Sequence, residues 1–484
     1  MSMTPRSRAM MLACAAVLVT ALVAPAAQQP ESAAAAAPTT FTNPIKYHRA
    51  ADPDVFRASD GAYYMIQTEG RKQIVLRRAN SMVNIMYGDQ KTVYEFPSNE
   101  HDIWAPEIRQ FDGAWYIYYS SLIGSNGSET RRNYVLRNTS ADPFTGSWQH
   151  MGKLTDATDE FALDTNVFRL NGQLYTTWSG WNGSNHDQHI YIAAMSSPWT
   201  ISSPRTMLAA PTQQWERATG VGVAEGPSTL VRGGNVYISY SGSQNSAYSM
   251  GLLTASASSN LLQASSWTKT GPVFQAANGL SAPGHNGWFK SPDGTEDWFV
   301  YHANNASGIR SIRMQKVTWN GATPDFGVPL GPTTQIPLPS GSTPTRNYEA
   351  EDTAVAGGAT KTTFTAENDF NGFSGTGYVK FGNTTGSSLT FTITADTAGS
   401  HNLLFRYTND TSSTKSLKLT VNGAVVNNGL GFISTGNGDD NWGDHYWNYT
   451  RSTQTVQLNA GQNVVTLETN GTVGPWIDSL VVAR

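Results

Sequence analysis

The stretch ADPDVFRASDGAYYM, residues 51–65, joins a short motif, a strand-like run, an Asp-Gly turn and a second, aromatic strand. Asp52 lies in it among small and apolar neighbours, where a strand favours β-branched or aromatic side chains. The strand alone gives no reason for a carboxylate at this position. How the stretch is interpreted therefore depends on whether its layout occurs once or repeats along the chain.

The layout occurs four more times, always as a motif, an apolar strand, a glycine turn and an aromatic strand. The further copies are WAPEIRQFDGAWYIYYS (104–120), LDTNVFRLNGQLYTTWS (163–179), AEGPSTLVRGGNVYISYS (224–241) and GHNGWFKSPDGTEDWFVYH (284–302). When the copies are aligned on the second residue of each motif, the aligned column reads Asp52, Ala105, Asp164, Glu225 and His285. Members of this column are roughly 60 residues apart, and a glycine follows each of them by eight or nine positions.

A repeat of this length is enough for one four-stranded sheet with its turns, and such sheets close radially into a β-propeller. The sequence therefore predicts an all-β chain with a five-bladed β-propeller over residues 41–335. The innermost strand of each blade would begin with the motif. Its first residues would then point towards the central axis at one end of the propeller.

The predicted ring brings three acids and a histidine together. A purely structural ring would favour small or apolar residues, because carboxylates close to one another are costly unless they are compensated. A dense metal cage would need more oxygen ligands at close range, whereas acids on different blades can flank a substrate. Hydrolysis of a glycosidic bond needs two such carboxyl groups, one to protonate the leaving oxygen and one to activate water or attack directly.

The motifs ADPDVF, WAPEI, LDTNVF, AEGP and GHNG, in this order, resemble those of glycoside hydrolase family 43. The resemblance implies a five-bladed propeller of inverting enzymes that act on arabinose- and xylose-containing polysaccharides. It makes Asp52 the general base, Glu225 the general acid, and Asp164 the third acid that raises the pKa of Glu225 and orients it. His285 would contact a bound cation, often calcium, through water.

The same resemblance gives expectations for sugar binding and for the substrate. Trp104 would wall the sugar pocket, and either Arg310 or Arg313 would reach it from the last blade. The segments YHRAADPDVF and HDIWAPEI resemble those of α-L-arabinofuranosidases, so we expect release of L-arabinofuranose from arabinan, arabinoxylan or related plant cell-wall polysaccharides. A β-xylosidase, an endo-arabinanase, a galactan-directed hydrolase and a non-catalytic sugar-binding propeller remain alternatives.

Other interpretations have less support in the sequence. Retaining fructan and sucrose hydrolases also use five blades and three acids, but their characteristic first motif and Glu-Cys motif are missing here. His186 and His189 suggest zinc, yet no further ligand pattern accompanies them, and their odd spacing would place them on opposite faces of a strand.

The N-terminal residues have the pattern of an exported protein. Residues 1–27 combine Arg6 and Arg8 with an apolar core and a small-residue cleavage site, which predicts a secretory signal peptide followed by a flexible leader at 28–40. The single cysteine, Cys14, lies inside that signal. The formal net charge of −4 argues against a nucleic-acid partner. We expect a secreted, extracellular monomer with no membrane span and no organic cofactor.

Residues 336–347, IPLPSGSTPTRN, have the composition of a linker, and alternating strands follow from 348 to 484. Their pattern predicts a β-sandwich of the jelly-roll kind. The segments YEAED, GYVKF, GQNVVTLETN and PWIDSLVVA resemble carbohydrate-binding modules of families 6 and 35. That resemblance implies a structural calcium held by Glu349, Glu351 and Asp478. Trp442 and Trp476 are the aromatic residues predicted to stack on sugar.

Overall fold

The structure of the 484-residue chain is a computed structural model. The predicted signal peptide and most of the predicted leader lie outside the described residues. These are 39–46, 50–69, 73–124, 127, 130–183, 186–342, 345–363, 370–371, 373–435, 437–439, 445–447 and 450–483. Within them, no helix has the length and apolar character needed to cross a membrane.

After a two-residue strand, β1 (Thr40–Phe41), the chain forms five antiparallel sheets, each built from consecutive strands. They are blade 1, β2–β5 (Ala51–Arg57, Tyr63–Thr68, Gln73–Ala79, Asp89–Glu95); blade 2, β6–β9 (Glu100–Phe111, Ala114–Ile123, Arg132–Asn138, Gln149–Leu154); blade 3, β10–β14 (Ala162–Leu170, Gln173–Trp181, Gln188–Ser197, Thr200–Ile201, Thr206–Ala209); blade 4, β15–β18 (Ala224–Arg232, Asn235–Gly242, Ser249–Ser256, Thr268–Phe274); and blade 5, β19–β22 (Ser281–Lys290, Asp297–Asn304, Arg310–Asn320, Thr323–Asp325). The inner strands β2, β6, β10, β15 and β19 contact their neighbours around a closed ring.

The repeated glycine makes the tight turn between the first two strands of a blade. In blades 2 to 4 the two turn residues are Asp112-Gly113, Asn171-Gly172 and Gly233-Gly234, and all six have positive φ. This is the backbone of a type I′ turn, whose twist matches that of the flanking strands and which glycine, asparagine and aspartate tolerate best. The turn residues therefore fix the hairpin register that blades 2 to 4 share.

The ring closes through the ends of the propeller. Strand β23 (Ile336–Pro337) pairs with β1, and the main chain of Lys46 pairs with Ile312 of β21. The segment predicted as a linker thus begins as a strand of the propeller, and the Ser340 N–H donates to Glu296 Oε2 at 3.0 Å. Composition predicts a linker here, and in the structure Ser340 of this segment also bonds to Glu296 and Asp293 of blade 5.

The C-terminal part is a sandwich of two antiparallel sheets with a small third sheet. Its strands are β24–β37 (Arg346–Glu349, Ala354–Ala356, Thr360–Thr363, Phe370–Asn371, Gly377–Lys380, Ser388–Ala395, Gly399–Thr408, Lys415–Val421, Ala424–Phe432, Asn437–Asp439, His445–Trp447, Thr450–Leu458, Gly461–Glu468, Trp476–Ala483). One sheet has the order β26-β28-β37-β30-β35 with β24 on β37, and the other has β25-β29-β36-β31-β32. Alternating apolar residues of both sheets, such as Phe391 and Phe405, fill the core between them.

Short 3₁₀ helices occupy connections in both parts. They are Met82–Tyr87, Gln214–Arg217, Ala264–Ser266 and Ala350–Asp352. The first of them, together with the start of β5, meets the sandwich. Tyr87 donates to Glu349 Oε1 at 2.8 Å, and the fully buried Arg406 donates to the Gly88 carbonyl at 3.4 Å and to Gln90 Oε1 at 3.2 Å. The prediction of an all-β propeller followed by a β-sandwich is confirmed.

Candidate active site

Every inner strand carries an irregularity at its motif. The ladder with the second strand shifts between Ala51 and Asp54, Trp104 and Glu107, Leu163 and Asn166, Glu225 and Ser228, and Gly284 and Gly287. Left-handed backbone is found inside each shift, at Asp52, Ala105, Asp164, Gly226 and His285, with φ between 44° and 60°. Such bulges redirect side chains, and left-handed non-glycine residues cluster at functional sites.

The N–H groups released by these bulges are bonded by side chains of the preceding blade. Ser120 Oγ accepts the Asp164 N–H at 3.1 Å, Ser241 Oγ accepts that of His285 at 2.7 Å, and Thr68 Oγ1 accepts that of Ala105 at 2.7 Å. Across the ring closure, His302 Nδ1 accepts the Asp52 N–H at 3.0 Å. The motif residues are therefore held from blade to blade around the axis.

One aligned residue differs from the sequence prediction. The left-handed position of blade 4 is Gly226, and Glu225 pairs with Ser241 just as Ala51, Trp104 and Leu163 pair with Thr68, Ser120 and Ser179. Glu225 thus belongs one residue before the position of Asp52 and Asp164. Glycine adopts positive φ without strain, so the bulge centres on Gly226 rather than on the glutamate.

The bulges direct the predicted residues into one pocket of about 560 Å³. Its lining includes Asp52, Trp104, Asp164, Glu225, His285 and Arg310. Arg313 was the alternative to Arg310, and that alternative is wrong. The two arginines are three residues apart on β21 and so face opposite ways; Arg313 is buried and donates to the Leu330 carbonyl at 3.0 Å.

Asp52 is set up to remain ionised. Thr68 donates to its Oδ2 at 2.7 Å, and Arg310 Nη1 and His285 Nδ1 lie 3.9 and 3.3 Å from its Oδ1. Burial acts to raise the pKa of Asp52, but His285, Arg310 and the Thr68 hydrogen bond together hold it below its ordinary value. A carboxylate in this state can accept a proton at neutral pH.

Glu225 is set up to carry a proton. Burial, which raises its pKa, outweighs a hydrogen bond from Tyr248, which lowers it, and with the negative charge of Asp52 the pKa is raised to about 7. Tyr248 and Gln188 hold the carboxyl group by hydrogen bonds. The site therefore combines an ionised acid on blade 1 with a protonatable acid on blade 4.

Asp164 lines the same pocket as these two acids and accepts the Gly226 N–H on its Oδ2 at 2.9 Å. Burial raises its pKa well above the ordinary value, and the charges of Glu225 and Asp52 raise it further. The family resemblance makes Asp164 the cause of the raised pKa of Glu225. Burial is the largest cause of that shift, and Asp164, whose own pKa the charge of Glu225 raises, acts on Glu225 in the same way. Asp164 also fixes the backbone next to Glu225.

Trp104 forms an exposed wall of the pocket. Its ring is 41% exposed, and the guanidinium of the buried Arg131 lies 3.4 Å from the ring centroid. Arg131 also donates to the Asp102 carbonyl at 2.7 Å. A cation held against one face of an indole is attracted by its π system, which keeps the other face in place.

Sequence reasoning missed Thr68, Tyr248, Gln188, Arg131 and His302. Thr68 and His302 occupy the position of the second strand that pairs with the start of the motif bulge, where the other three copies have serine, so the repeat itself carries a signal for these two. The other three come from strands or loops further out in a blade, and no motif marks them.

The predicted metal ligands do not form a complete cage. Among the described residues, no three His, Cys, Asp or Glu side chains have the arrangement of a metal site. His285 lies against Asp52 and Asp164, with its Nδ1 3.8 Å from Asp164 Oδ2. Calcium at the centre of the propeller stays a prediction.

In the sandwich, the three predicted calcium ligands surround the turn at Ser374–Gly375. Burial first, then the charges of Asp478 and Glu351, raise the pKa of Glu349 to about 8, and Glu351 Oε2 is buried without a hydrogen-bond partner. These two acids fit a cation. Asp478 fits less well, because the buried Arg406 already neutralises it.

The predicted sugar-stacking residues of the sandwich are only partly described. Trp442 lies outside the described residues. Trp476 stacks on Tyr378 with ring centroids 5.1 Å apart, and Lys380 Nζ lies 4.0 Å from the centroid of Trp476. Its role in sugar binding stays a prediction.

Comparisons with known proteins agree with this geometry. Residues 41–324 match the family described as Glycosyl hydrolases family 43. An extracellular exo-α-(1→5)-L-arabinofuranosidase of Streptomyces avermitilis is 40% identical over 311 residues, which are 60% of this chain and 64% of that protein. α-L-Arabinofuranosidase 43 of Humicola insolens is 34% identical over 72% of this chain and 70% of its own.

A solved structure, that of an α-L-arabinofuranosidase from Lactobacillus brevis, superposes with a TM-score of 0.58 at 31% identity and covers 61% of this chain and 98% of its own. The matched region contains all five blades and every acid of the pocket. The chain therefore belongs to family 43 of the glycosyl hydrolases, enzymes that hydrolyse glycosidic bonds.

Proposed function

We propose that this protein is a secreted, inverting α-L-arabinofuranosidase that releases L-arabinofuranose from arabinan, arabinoxylan or related plant cell-wall polysaccharides. The observation that carries the proposal is the pairing, in one pocket, of Asp52 with a lowered pKa and Glu225 with a pKa raised to about 7. Relatives at 40% and 34% identity that are named arabinofuranosidases support the choice of sugar.

The proposed reaction is a single displacement. Asp52 removes a proton from a water molecule, and the oxygen of that water attacks the anomeric carbon. The bond from that carbon to the leaving oxygen breaks, and the proton of Glu225 moves to this oxygen. Asp52 ends protonated and Glu225 ionised, and proton exchange with solvent restores both. Asp164 positions Glu225 through the Gly226 N–H.

Activity should decline as pH rises through the pKa of Glu225, about 7, because the general acid must hold a proton. The Tyr248 hydrogen bond stabilises the carboxylate and lowers this pKa, so Tyr248→Phe should move the alkaline limb of kcat/KM upwards by about one pH unit. The check is a pH profile on an arabino-oligosaccharide. Tyr240→Phe is the matched control, since Tyr240 of blade 4 donates to Glu216 in the preceding 3₁₀ helix, and neither residue lines the pocket. An unchanged limb for Tyr248→Phe would count against the assignment of Glu225.

The proposal is tested by incubating the protein with arabinan, arabinoxylan, galactan and aryl glycosides of arabinofuranose and xylopyranose. We expect free arabinose from the arabinose-containing substrates. Release of xylose or galactose alone would favour the alternative hydrolases. Binding without release, with Glu225→Ala equal to wild type, would favour a non-catalytic propeller.

Secretion is supported by the predicted signal peptide and by the relatives named extracellular. We further propose that the sandwich binds polysaccharide and that Glu349 and Glu351 hold calcium there, which suits a cation that prefers oxygen ligands.

Calcium is expected to raise the thermal unfolding midpoint and a chelator to lower it. Glu351→Gln should weaken this response, while Asp396→Asn, on the exposed edge of the same sandwich, should leave it unchanged. A midpoint that does not respond to calcium in the wild type would remove the cation from the proposal.

A further inference from the structure

A stack of three rings borders the pocket beside Glu225. Trp181 lies between Phe161, with ring centroids 4.4 Å apart at 14°, and His186, with centroids 4.1 Å apart at 16°. Two rings this close and this parallel to one indole cannot share a face, because they would overlap each other. Both faces of Trp181 are therefore covered, by Phe161 on one side and His186 on the other.

The ring left free to meet a ligand is His186. Phe161 is only 7% exposed, whereas His186 is exposed and lines the pocket together with Trp181. His186 has a φ of 57°, a left-handed backbone that non-glycine residues adopt rarely. The tryptophan of this stack thus serves as the support, and the imidazole presents the outer surface.

The stack lies on the side of the pocket where the leaving group is expected. Gln188, two residues after His186, hydrogen-bonds Glu225, and Ser179 donates to Gln188 Oε1 at 3.0 Å. Asp52 approaches the pocket from blade 1, while the stack and Glu225 belong to blades 3 and 4. A sugar cleaved between the two acids leaves on the side of its general acid, where the stack lies.

We propose that His186, supported by Trp181, is the platform on which the sugar unit of the leaving group stacks. The inference rests on the proposed function, and it adds that the enzyme recognises the residue beyond the bond it cleaves. An imidazole offers an apolar face to a sugar ring and N–H and N groups to its hydroxyls. Contacts with the sugar on the far side of the scissile bond change discrimination between leaving groups.

The test compares two substrates that differ only in the leaving group. α-1,5-Arabinobiose carries a sugar that can reach His186, whereas α-L-arabinofuranosyl fluoride carries none. His186→Ala should lower kcat/KM for arabinobiose about tenfold and leave the value for the fluoride within about twofold. His186→Phe keeps an aromatic face and should recover most of the loss. Asn182→Ala, an exposed change on the same loop outside the pocket lining, is the control for the loop itself.

An equal loss on both substrates, or arabinobiose hydrolysis within about twofold of wild type, would overturn the platform while leaving the proposed function intact. Wild-type protein that cleaves neither substrate would remove the proposed function and the inference with it. Because His186 is exposed, thermal unfolding of the variant should match wild type.

Discussion

Glu225→Ala is expected to lose about 10³-fold to 10⁴-fold in kcat/KM on arabino-oligosaccharides, yet less than about tenfold on an aryl arabinofuranoside with a highly acidic phenol. The alkoxide of a sugar is a poor leaving group and needs a proton as its bond breaks. An acidic phenol leaves without one. The two substrates therefore separate proton donation from all other functions of the pocket.

The surroundings of Glu225 explain why the effect should be large. The carboxyl group is held by Tyr248 and Gln188, and its pKa of about 7 keeps a useful fraction protonated near neutrality. Glu160→Gln, a half-exposed carboxylate of blade 3 outside the pocket lining, is the matched control and should keep activity on both substrates. Equal losses on both substrates for Glu225→Ala would contradict its assignment as the acid.

Asp52→Asn is expected to lose about 10³-fold to 10⁴-fold on both substrates alike, because water must be activated whichever group leaves. The amide keeps the size of the side chain and can retain a hydrogen bond with Thr68, so the loss would reflect the missing base. Steady-state kinetics with the same two substrates measures it. Asp60→Asn, in the exposed turn of the same blade, is the control. A loss confined to the oligosaccharide would instead give Asp52 a role in binding.

The sequence repeat predicted the blades because each hairpin is determined by residues close to one another in the sequence. Each copy carries its own turn residues and its own aromatic strand, so five consecutive copies specify five hairpins, and those of blades 2 to 4 share the same two-residue turn. The position of Glu225 relative to its bulge was harder to predict from the sequence. Spacing aligned it with Asp52 and Asp164, but a bulge is a backbone dihedral, and only the glycine at 226 hints that the left-handed residue comes one position later.

Residues supplied by other strands were harder to predict. Tyr248, which directly precedes the third strand of blade 4, hydrogen-bonds Glu225. Arg131, which directly precedes β8, lies against the ring of Trp104. Strand alternation separates Arg310 from Arg313, but which of the two faces the pocket depends on the register of β21 against β20, and the sequence does not contain that register. His186 was considered only as a metal ligand, because its stacking on Trp181 depends on a loop conformation.

Residues 336–347 are a further place where the structure differs from the sequence prediction. Their proline, serine and threonine content predicts a linker. Here main-chain and side-chain partners on the propeller bind the segment, among them Glu296 and Asp293 for Ser340. Such partners are distant in sequence, so composition alone cannot reveal them.

The central claim is that water held by Asp52 attacks one face of the sugar while Glu225 protonates the group that leaves from the other. Proton NMR of the first-formed arabinose, recorded before mutarotation, tests it most directly. The account predicts that an α-linked substrate first yields the β-anomer. First appearance of the α-anomer would mean a covalent intermediate, and Asp52 would then not be the residue that activates water.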